Sequence, residues 1–310
     1  MKIIITGGMG FVGSNLIRKL AVDRNEIVVV DNFSSNVQND VEGIRLIKVD
    51  LADQRRLDDV NIESADVLIH LAGPSSGPAS AKDPEGTIDI SNRITFNVLR
   101  FSKKISIKRI VFASSMSVYG DPFELPVNEV SFCQPISYYA IAKLSSEHII
   151  QAFSKSSGLE YSILRFFNIY GPGQDLKRMD QGLVSIYLSM LMSGKPFVIK
   201  GRLDRIRDLI HIDDVVNSIT AVIHSEAGLN QVINVCNGEA ITIERLAKTL
   251  ITHFDNYKWG DVIEEKGSAG DTHQIFGSNE KLVNDIGYTP KFDIESGIND
   301  FVSWAKSNPN

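Results

Sequence analysis

The run Lys2-Ile3-Ile4-Ile5-Thr6 leads directly into Gly7-Gly8-Met9-Gly10-Phe11-Val12-Gly13. No other stretch restricts the fold as much. Gly8, Gly10 and Gly13 fit G-x-G-x-x-G, and Gly7, Gly10 and Gly13 fit G-x-x-G-x-x-G. Apolar residues at helical spacing follow at Leu16, Ile17 and Leu20, then Ile27-Val28-Val29-Val30 ends at Asp31. Strand, glycine turn, helix, strand and acid is the order a dinucleotide site requires. The glycines let backbone N–H groups approach a pyrophosphate, and the helix N-terminus adds partial positive charge there. A carboxylate at Asp31 can accept both hydroxyls of an adenosine ribose and repels a 2′-phosphate, so NAD is expected rather than NADP. The alternative is a glycine turn that only packs a strand against a helix.

The chain has 310 residues, with 43% hydrophobic, 23% charged and a net charge of -6. That balance disfavours nucleic acid or an anionic membrane as the main partner. Two distant cysteines, Cys133 and Cys236, and six histidines form no metal-ligand spacing, so no metal is expected. No apolar run reaches the ~18 residues of a membrane span. The N-terminus opens on a strand-like run without a cleavable signal pattern, so a cytoplasmic protein is expected.

Further strands are expected at 44–49, 65–73, 108–113 and 159–167, with helices over 84–105 and from about 137 to 155. Gly158 is the stop signal of the second helix. The alternation implies a doubly wound parallel sheet with helices on both faces. The polar turn Asn32-Phe33-Ser34-Ser35-Asn36 lies beside the expected adenosine. Asp50 either accepts from an adenine amino group or caps a helix before Gln54. Leu71-Ala72-Gly73 leaves room at the sheet's crevice. After residue 167 the pattern loosens into a smaller mixed α/β lobe. In that lobe 182–192 reads as helix, 195–201 and 205–211 as strand, Asp213-Asp214 as a helix opening, and 232–236 as strand. Ser307 to Asn310 are expected to be loose.

Tyr139 and Lys143 are four apart on a predicted helix and share one face. An ammonium beside a phenol favours its anion, so Tyr139 is expected to take a proton from a sugar or alcohol hydroxyl. Ser115, just past the fifth strand, is placed to share the substrate oxygen. Ser114 or Ser117 could hold that role instead, with Ser115 capping a turn.

These elements together resemble the extended short-chain dehydrogenase/reductase family, and within it the nucleotide-sugar epimerase/dehydratase branch. The motifs are residues 6–13, Asp31-Asn32, His70-Leu71-Ala72-Gly73, residues 114–120, Pro126-Val127-Asn128-Glu129, Tyr139 with Lys143, residues 165–172 and residues 207–214. The resemblance spans essentially the whole chain. It implies a Rossmann domain over 1–167, with the chain returning to it at about 205–236. A nucleotide-sugar lobe would then cover 168–204 and 237–310.

The resemblance also implies roles. Tyr139 is the acid/base, Lys143 its activator and ribose ligand, and Ser115 the hydroxyl partner. Asn168 contacts the nucleotide-sugar. Arg207 binds its diphosphate, unless it is a surface ion pair with Asp208 or Asp204. Further cofactor contacts fall at Phe11, Val12, Asn32, Ser34, Ser35, Asp50, Leu51, Leu71, Ala72, Gly73, Ser91, Ala113 and Phe166. The family's 4,6-dehydratases carry an Asp-Glu pair where Met116 and Ser117 stand here, which disfavours dehydration. Ser91 and Ala142 replace the more usual Asn and Ser, and Arg202 and Asp204 also depart from the pattern. The expected activity is 4-epimerisation of a nucleoside-diphosphate sugar, with a 4-dehydrogenase or 4-keto reductase as the alternative. A cofactor-sensing module without turnover is a third, less favoured reading. A homodimer is expected through a bundle of the 84–105 helix and the helix bearing Lys143.

Overall fold

The structure is a computed structural model that describes residues 1–34, 42–267 and 273–308. In the first half the strands are β1 (Lys2–Thr6), β2 (Glu26–Asp31), β3 (Arg45–Lys48), β4 (Val67–His70), β5 (Arg109–Ser115) and β6 (Glu160–Phe166). Between them run α1 (Phe11–Val22), α2 (Gln54–Asp58), α3 (Gly77–Ser80), α4 (Pro84–Lys104) and α5 (Tyr138–Ser157). The second half holds β7 (Asn168–Tyr170), α6 (Leu183–Met192), β8 (Val198–Lys200), β9 (Ile206–Arg207), β10 (Leu209–His211) and α7 (Ile212–His224). It continues through β11 (Gln231–Val235), β12 (Ile241–Thr242), α8 (Ile243–Ile251), β13 (Ile263–Glu265), α9 (Glu280–Asn284) and α10 (Ile294–Ser307).

The main sheet has seven strands in the order β11-β6-β5-β4-β1-β2-β3, all paired in parallel. Period-two alternation explains its apolar runs. Ile3, Ile5, Val29, Ile69 and Val111 face a core with Leu16, Ile17 and Leu20 of α1 and Val215, Ile219 and Val222 of α7. Ile4, Val28, Val30, Leu68 and Ile110 face the opposite core, with Ile94, Val98 and Phe101 of α4 and Ile150 of α5. Burial of each such side chain contributes about 1.5–3 kcal/mol. The doubly wound architecture expected above is therefore the one found.

The order reverses between β1 and β4, which share pairings Ile3↔Val67 through Thr6↔His70. The crevice outside their carboxyl ends is where open α/β sheets bind ligands. The second lobe is built on its own core, with Tyr187, Leu188, Phe197, Leu246, Ile298 and Phe301. Its strands pair in twos: β7 with β10, β9 with β12, and β8 with β13. The expected single strand over 205–211 is thus two short strands in different sheets. Asp208 sits between them as a buried hub. It accepts from the N–H groups of Asn237, Gly238 and Gly277 at 2.8, 3.0 and 3.2 Å.

One end effect differs from expectation. Ser307 is the last residue of α10 rather than loose, and Asn308 caps it by donating to the Trp304 and Ala305 carbonyls; 309–310 lie outside the described residues. The helix opened by Asp213-Asp214 is capped by His211, whose ring accepts from Asp213 N–H at 3.3 Å. Asp214 instead anchors the approach to α10, accepting from Tyr288, Lys291 and Phe292 at 2.6, 2.9 and 3.0 Å.

Candidate active site

The glycine turn is compressed where the chain needs it to be. Gly7 has φ +72°, and a Cβ there would lie 2.6 Å from Ala72 N. The turn therefore abuts Leu71-Ala72 after β4, and Leu71 N–H extends the sheet by donating to Thr6 O at 3.0 Å. A Cβ on Gly13 would come within 2.5 Å of Gly7 O and Gly8 Cα, so α1 can approach the turn only with glycine there. Gly10 differs. A Cβ there would meet only Gly7 O, at 3.4 Å, and the residue is the N-cap of α1 with no side-chain cap. Packing does not demand glycine at 10, whereas an anion drawn to the α1 N-terminus does. The first N–H groups of the helix, on Phe11 and Val12, point toward the same space.

Asp31 ends β2 and is buried. Its Oδ2 accepts from Met9 N–H at 2.9 Å and its Oδ1 from Phe33 N–H at 2.7 Å. Each oxygen keeps a lone pair for a ribose hydroxyl, while the first bond ties the glycine turn to β2. These features fit NAD. Asn32 Oδ1 accepts from Ser34 N–H at 3.0 Å; Ser35 and Asn36 lie outside the described residues. Asp50 is not a helix cap. Its Oδ1 closes a local turn with Ala52 N–H at 3.0 Å, and Asp53 caps α2 by accepting from Arg56 N–H at 3.2 Å. Leu51 is buried, and its carbonyl accepts from Asn97 at 2.8 Å. Ser91 turns its hydroxyl to the Thr87 carbonyl of its own helix, at 2.7 Å. Gly73 has φ +137° with open space beside it.

Helix α5 begins at a serine cap. Ser137 Oγ accepts from Ala140 N–H at 3.2 Å, and Gly158 ends the helix in the left-handed region. Tyr139 therefore lies in the first turn, where its N–H also donates to Ser80 Oγ at 3.1 Å. Lys143, one turn on, donates to the Ala113 carbonyl at 2.7 Å. Its ammonium is 5.9 Å from the Tyr139 ring centre and 5.0 Å from that of Phe112. Phe166, on the neighbouring strand, is buried in the core.

The serines separate by the pleat. Ser114 is buried and donates to Glu147 Oε1. Ser115 Oγ caps the short 3-10 turn at 116–119 by accepting from Ser117 N–H at 3.2 Å, and lies close enough to Tyr139 to draw its phenol down. Ser115, Tyr139 and Lys143 thus converge, and Ser114 does not join them.

The electrostatics correct one expectation. Tyr139 is not made acidic by Lys143. Burial pushes the phenol above its ordinary value, and Ser115 pulls it partly back. Burial lowers Lys143 from 10.5 to about 8, against the favourable field of Glu147. Both groups lose hydration, and the ammonium is turned to a main-chain carbonyl rather than to the phenol. Beneath Lys143, His70 is buried against Thr6 Oγ1 at 2.7 Å and held down to about 3 by desolvation, then by Lys143.

On the other side of the crevice, Asn168 donates from Nδ2 to the Asp208 carbonyl at 2.9 Å and to Met116 Sδ at 3.6 Å. Arg207 is buried and lowered to about 10 by desolvation and then by Arg205. It donates to the carbonyls of Ile206 and His273 at 2.8 and 3.4 Å. The surface pair considered for it is not what its neighbours form: Asp208 is taken up by backbone N–H groups, and Asp204 by Arg202 at 2.5 Å.

Sequence reasoning missed Glu147, four residues beyond Lys143. Its carboxylate receives Ser114 and both Nε and Nη2 of Arg165, at 3.1 and 2.8 Å. Arg165 in turn reaches the Glu129 carbonyl at 3.3 Å, and Glu129 Oε1 accepts from Asn234 N–H at 2.8 Å. The i, i+4 repeat at 139, 143 and 147 was the available signal. The segment around Glu129 is thus a brace behind the candidate site. Among the described residues no cluster of potential metal ligands occurs, and no helix is long and apolar enough to cross a membrane.

The profile described as the NAD-dependent epimerase/dehydratase family matches residues 3–236. A protein of Methanocaldococcus jannaschii, provisionally assigned as a UDP-glucose 4-epimerase, is 30% identical over 99% of both chains. The solved UDP-glucose 4-epimerase of Thermotoga maritima, in complex with UDP-glucose, superposes with a TM-score of 0.92 at 28% identity, over 100% of each chain. UDP-glucuronic acid decarboxylase 1 of Xenopus tropicalis is 28% identical over 98% of this chain and 72% of its own.

Proposed function

The chain belongs to the NAD-dependent epimerase/dehydratase family, and we propose that within it the protein is a 4-epimerase of a nucleoside-diphosphate sugar. Residues 1–167, with the return over about 205–236, form the NAD half; 168–204 and 237–310 form the sugar half. Gly7, Gly10, Phe11, Val12 and Gly13 hold the pyrophosphate, and Asp31 the adenosine ribose. Bound NAD supplies reversible two-electron oxidation at the sugar C4.

Tyr139, whose deprotonated form the positive nicotinamide of bound NAD would favour against burial, takes the 4-hydroxyl proton, and Ser115 donates to the substrate oxygen. Lys143 holds positive charge beside them and reaches the nicotinamide ribose. Asn168 and Arg207 hold the nucleotide and its diphosphate, so the 4-keto sugar can turn without leaving. Tyr139 then returns the proton as the opposite face of C4 is reduced. Positioned acid–base groups of this kind supply roughly 10²–10⁴-fold.

The observation that carries the reading is the convergence of Ser115, Tyr139 and Lys143 beside Met116 and Ser117. Neither of the latter two can deliver the protons that elimination of water needs. The same machinery would serve a net 4-dehydrogenase or 4-keto reductase. Incubation with UDP-, GDP-, dTDP- and CDP-sugars separates them: C4 inversion supports the epimerase, and NADH accumulation without inversion supports the alternative.

We also propose a cytoplasmic homodimer acting in carbohydrate metabolism. An apolar groove of about 670 Å³ lies along α4 and α5. Phe96, Pro135, Ile141, Leu144 and Phe153 are among its walls. Phe96 and Ile141 are 46% and 39% exposed, which suits a bundle between two copies.

A further inference from the structure

We propose that Ser80 is a positioning residue that fixes Tyr139 through the main chain of α5. The inference rests on the acid–base role proposed above for Tyr139, and it identifies what holds that residue in place. The first N–H groups of a helix have no partner within it. In α5 the cap Ser137 satisfies the Ala140 N–H at 3.2 Å. The Tyr139 N–H is satisfied from outside the helix, by Ser80 Oγ at 3.1 Å, across a separation of 59 residues. Ser80 is 2% exposed, and its own proton goes to the Gly77 carbonyl at 2.6 Å. A lone pair is therefore what it presents to Tyr139.

Ser80 is also fixed from its far side. It is the last residue of α3, a single turn capped by Ser76, whose Oγ accepts from Ala79 N–H at 3.1 Å. Ser76 Oγ donates in turn to the Asp180 carbonyl at 3.3 Å, and Ser75 Oγ to Gln181 Oε1 at 3.1 Å. Asp180 and Gln181 lead into α6 of the second lobe. The turn thus ties the approach to α6 to the first turn of α5. Tyr139 is registered against the half proposed to hold the sugar, and not against its own helix alone. Helix ends fray, and a misplacement of about 1 Å at a reacting group costs roughly 10²-fold in rate. Ser80 removes that freedom at the residue where it matters most.

Two readouts test this on NAD-loaded protein, with Ser80→Ala and with Ser80→Cys, which is nearly isosteric but a weak acceptor. Hydrogen exchange at the Tyr139 amide is expected to quicken about fivefold, the scale of one neutral hydrogen bond, while the Ala140 amide stays as it was. With a nucleotide-sugar that is turned over, kcat is expected to fall roughly 10- to 10²-fold, with KM and NAD affinity little changed. In the Tyr139→Phe background the same substitutions should take nothing further from the residual rate, because no phenol is left to position. Ser80→Cys gives the same reading if the alanine variant does not fold. An unmoved Tyr139 amide overturns the proposal. So does a rate loss that persists in the Tyr139→Phe background, or one that only tracks the folded fraction in urea. The exchange measurement needs no sugar. Failure to turn over any nucleotide-sugar would count against the proposed function, whereas an unmoved amide would count against Ser80 alone.

Discussion

Lys143 donates to the main-chain carbonyl of Ala113 at 2.7 Å, so its ammonium is held by the sheet rather than by the phenol four residues before it. Burial brings it to about 8. The charged form is the one that would hold the nicotinamide ribose beside Tyr139, and it is lost as pH rises through that value. Activity is therefore expected to fall on the alkaline side with a midpoint near 8. In Lys143→Arg, whose charge persists, that limb should move upward in whatever activity remains. A pH profile of kcat/KM checks both.

Tyr139→Phe removes the proton acceptor and leaves the ring's packing. It is expected to lower kcat by roughly 10²–10⁴-fold while NAD affinity changes little. Steady-state rates with calorimetric NAD binding separate those effects.

Gly7 and Gly10 should fail differently. Gly7→Ala places a Cβ against Ala72 at a positive φ and is expected to destabilise the fold by several kcal/mol. Gly10→Ala meets only Gly7 O and should cost about 1 kcal/mol or less. It should nonetheless weaken NAD binding at least roughly tenfold, because its methyl projects where the pyrophosphate approaches. Urea unfolding and NAD titration of both variants provide the comparison.

Glu147 and Arg165 form a buried ion pair at 2.8 Å, with side chains 1% and 6% exposed. Glu147→Gln leaves the Arg165 charge without its counter-ion and is expected to cost about 3–5 kcal/mol. Adding Arg165→Met should recover part of that loss, because the stranded charge is gone. A double-mutant cycle by urea unfolding measures it.

His70 gives the protein a defined acid sensitivity. Its folded pKa is lowered from 6.5 to about 3, so below pH 6.5 the unfolded chain holds more protons. The contribution is complete above pH 6.5 and is lost as pH falls toward 3. In His70→Gln, the slope of stability between pH 6 and 4.5 should be shallower by about 1.4 kcal/mol per pH unit. Urea midpoints across that range test the difference.

The first lobe was legible because its strands are apolar runs buried on both faces and its helices carry caps and stop signals, as at Ser137 and Gly158. The second lobe was not. Strands such as β9 and β12 are two residues long, too short for any periodicity, and exist through pairing with each other. At the candidate site, spacing placed Tyr139 and Lys143 on one face. It could not show desolvation, which reversed the expected acidity of Tyr139. Glu147 continued the same spacing, yet a charged residue on a helix ordinarily reads as a solvated face. The hub role of Asp208 was not legible, because its three backbone donors come from residues 237, 238 and 277, distant in sequence.

A substrate sugar carrying deuterium at C4 tests the central claim most directly, followed by NMR in ordinary water with the nucleotide that supports turnover. The account predicts inversion at C4 with the deuterium still on C4, because the hydrogen leaves and returns within one binding event. Inversion with loss of that deuterium to solvent, or no inversion with any nucleotide-sugar, would contradict it.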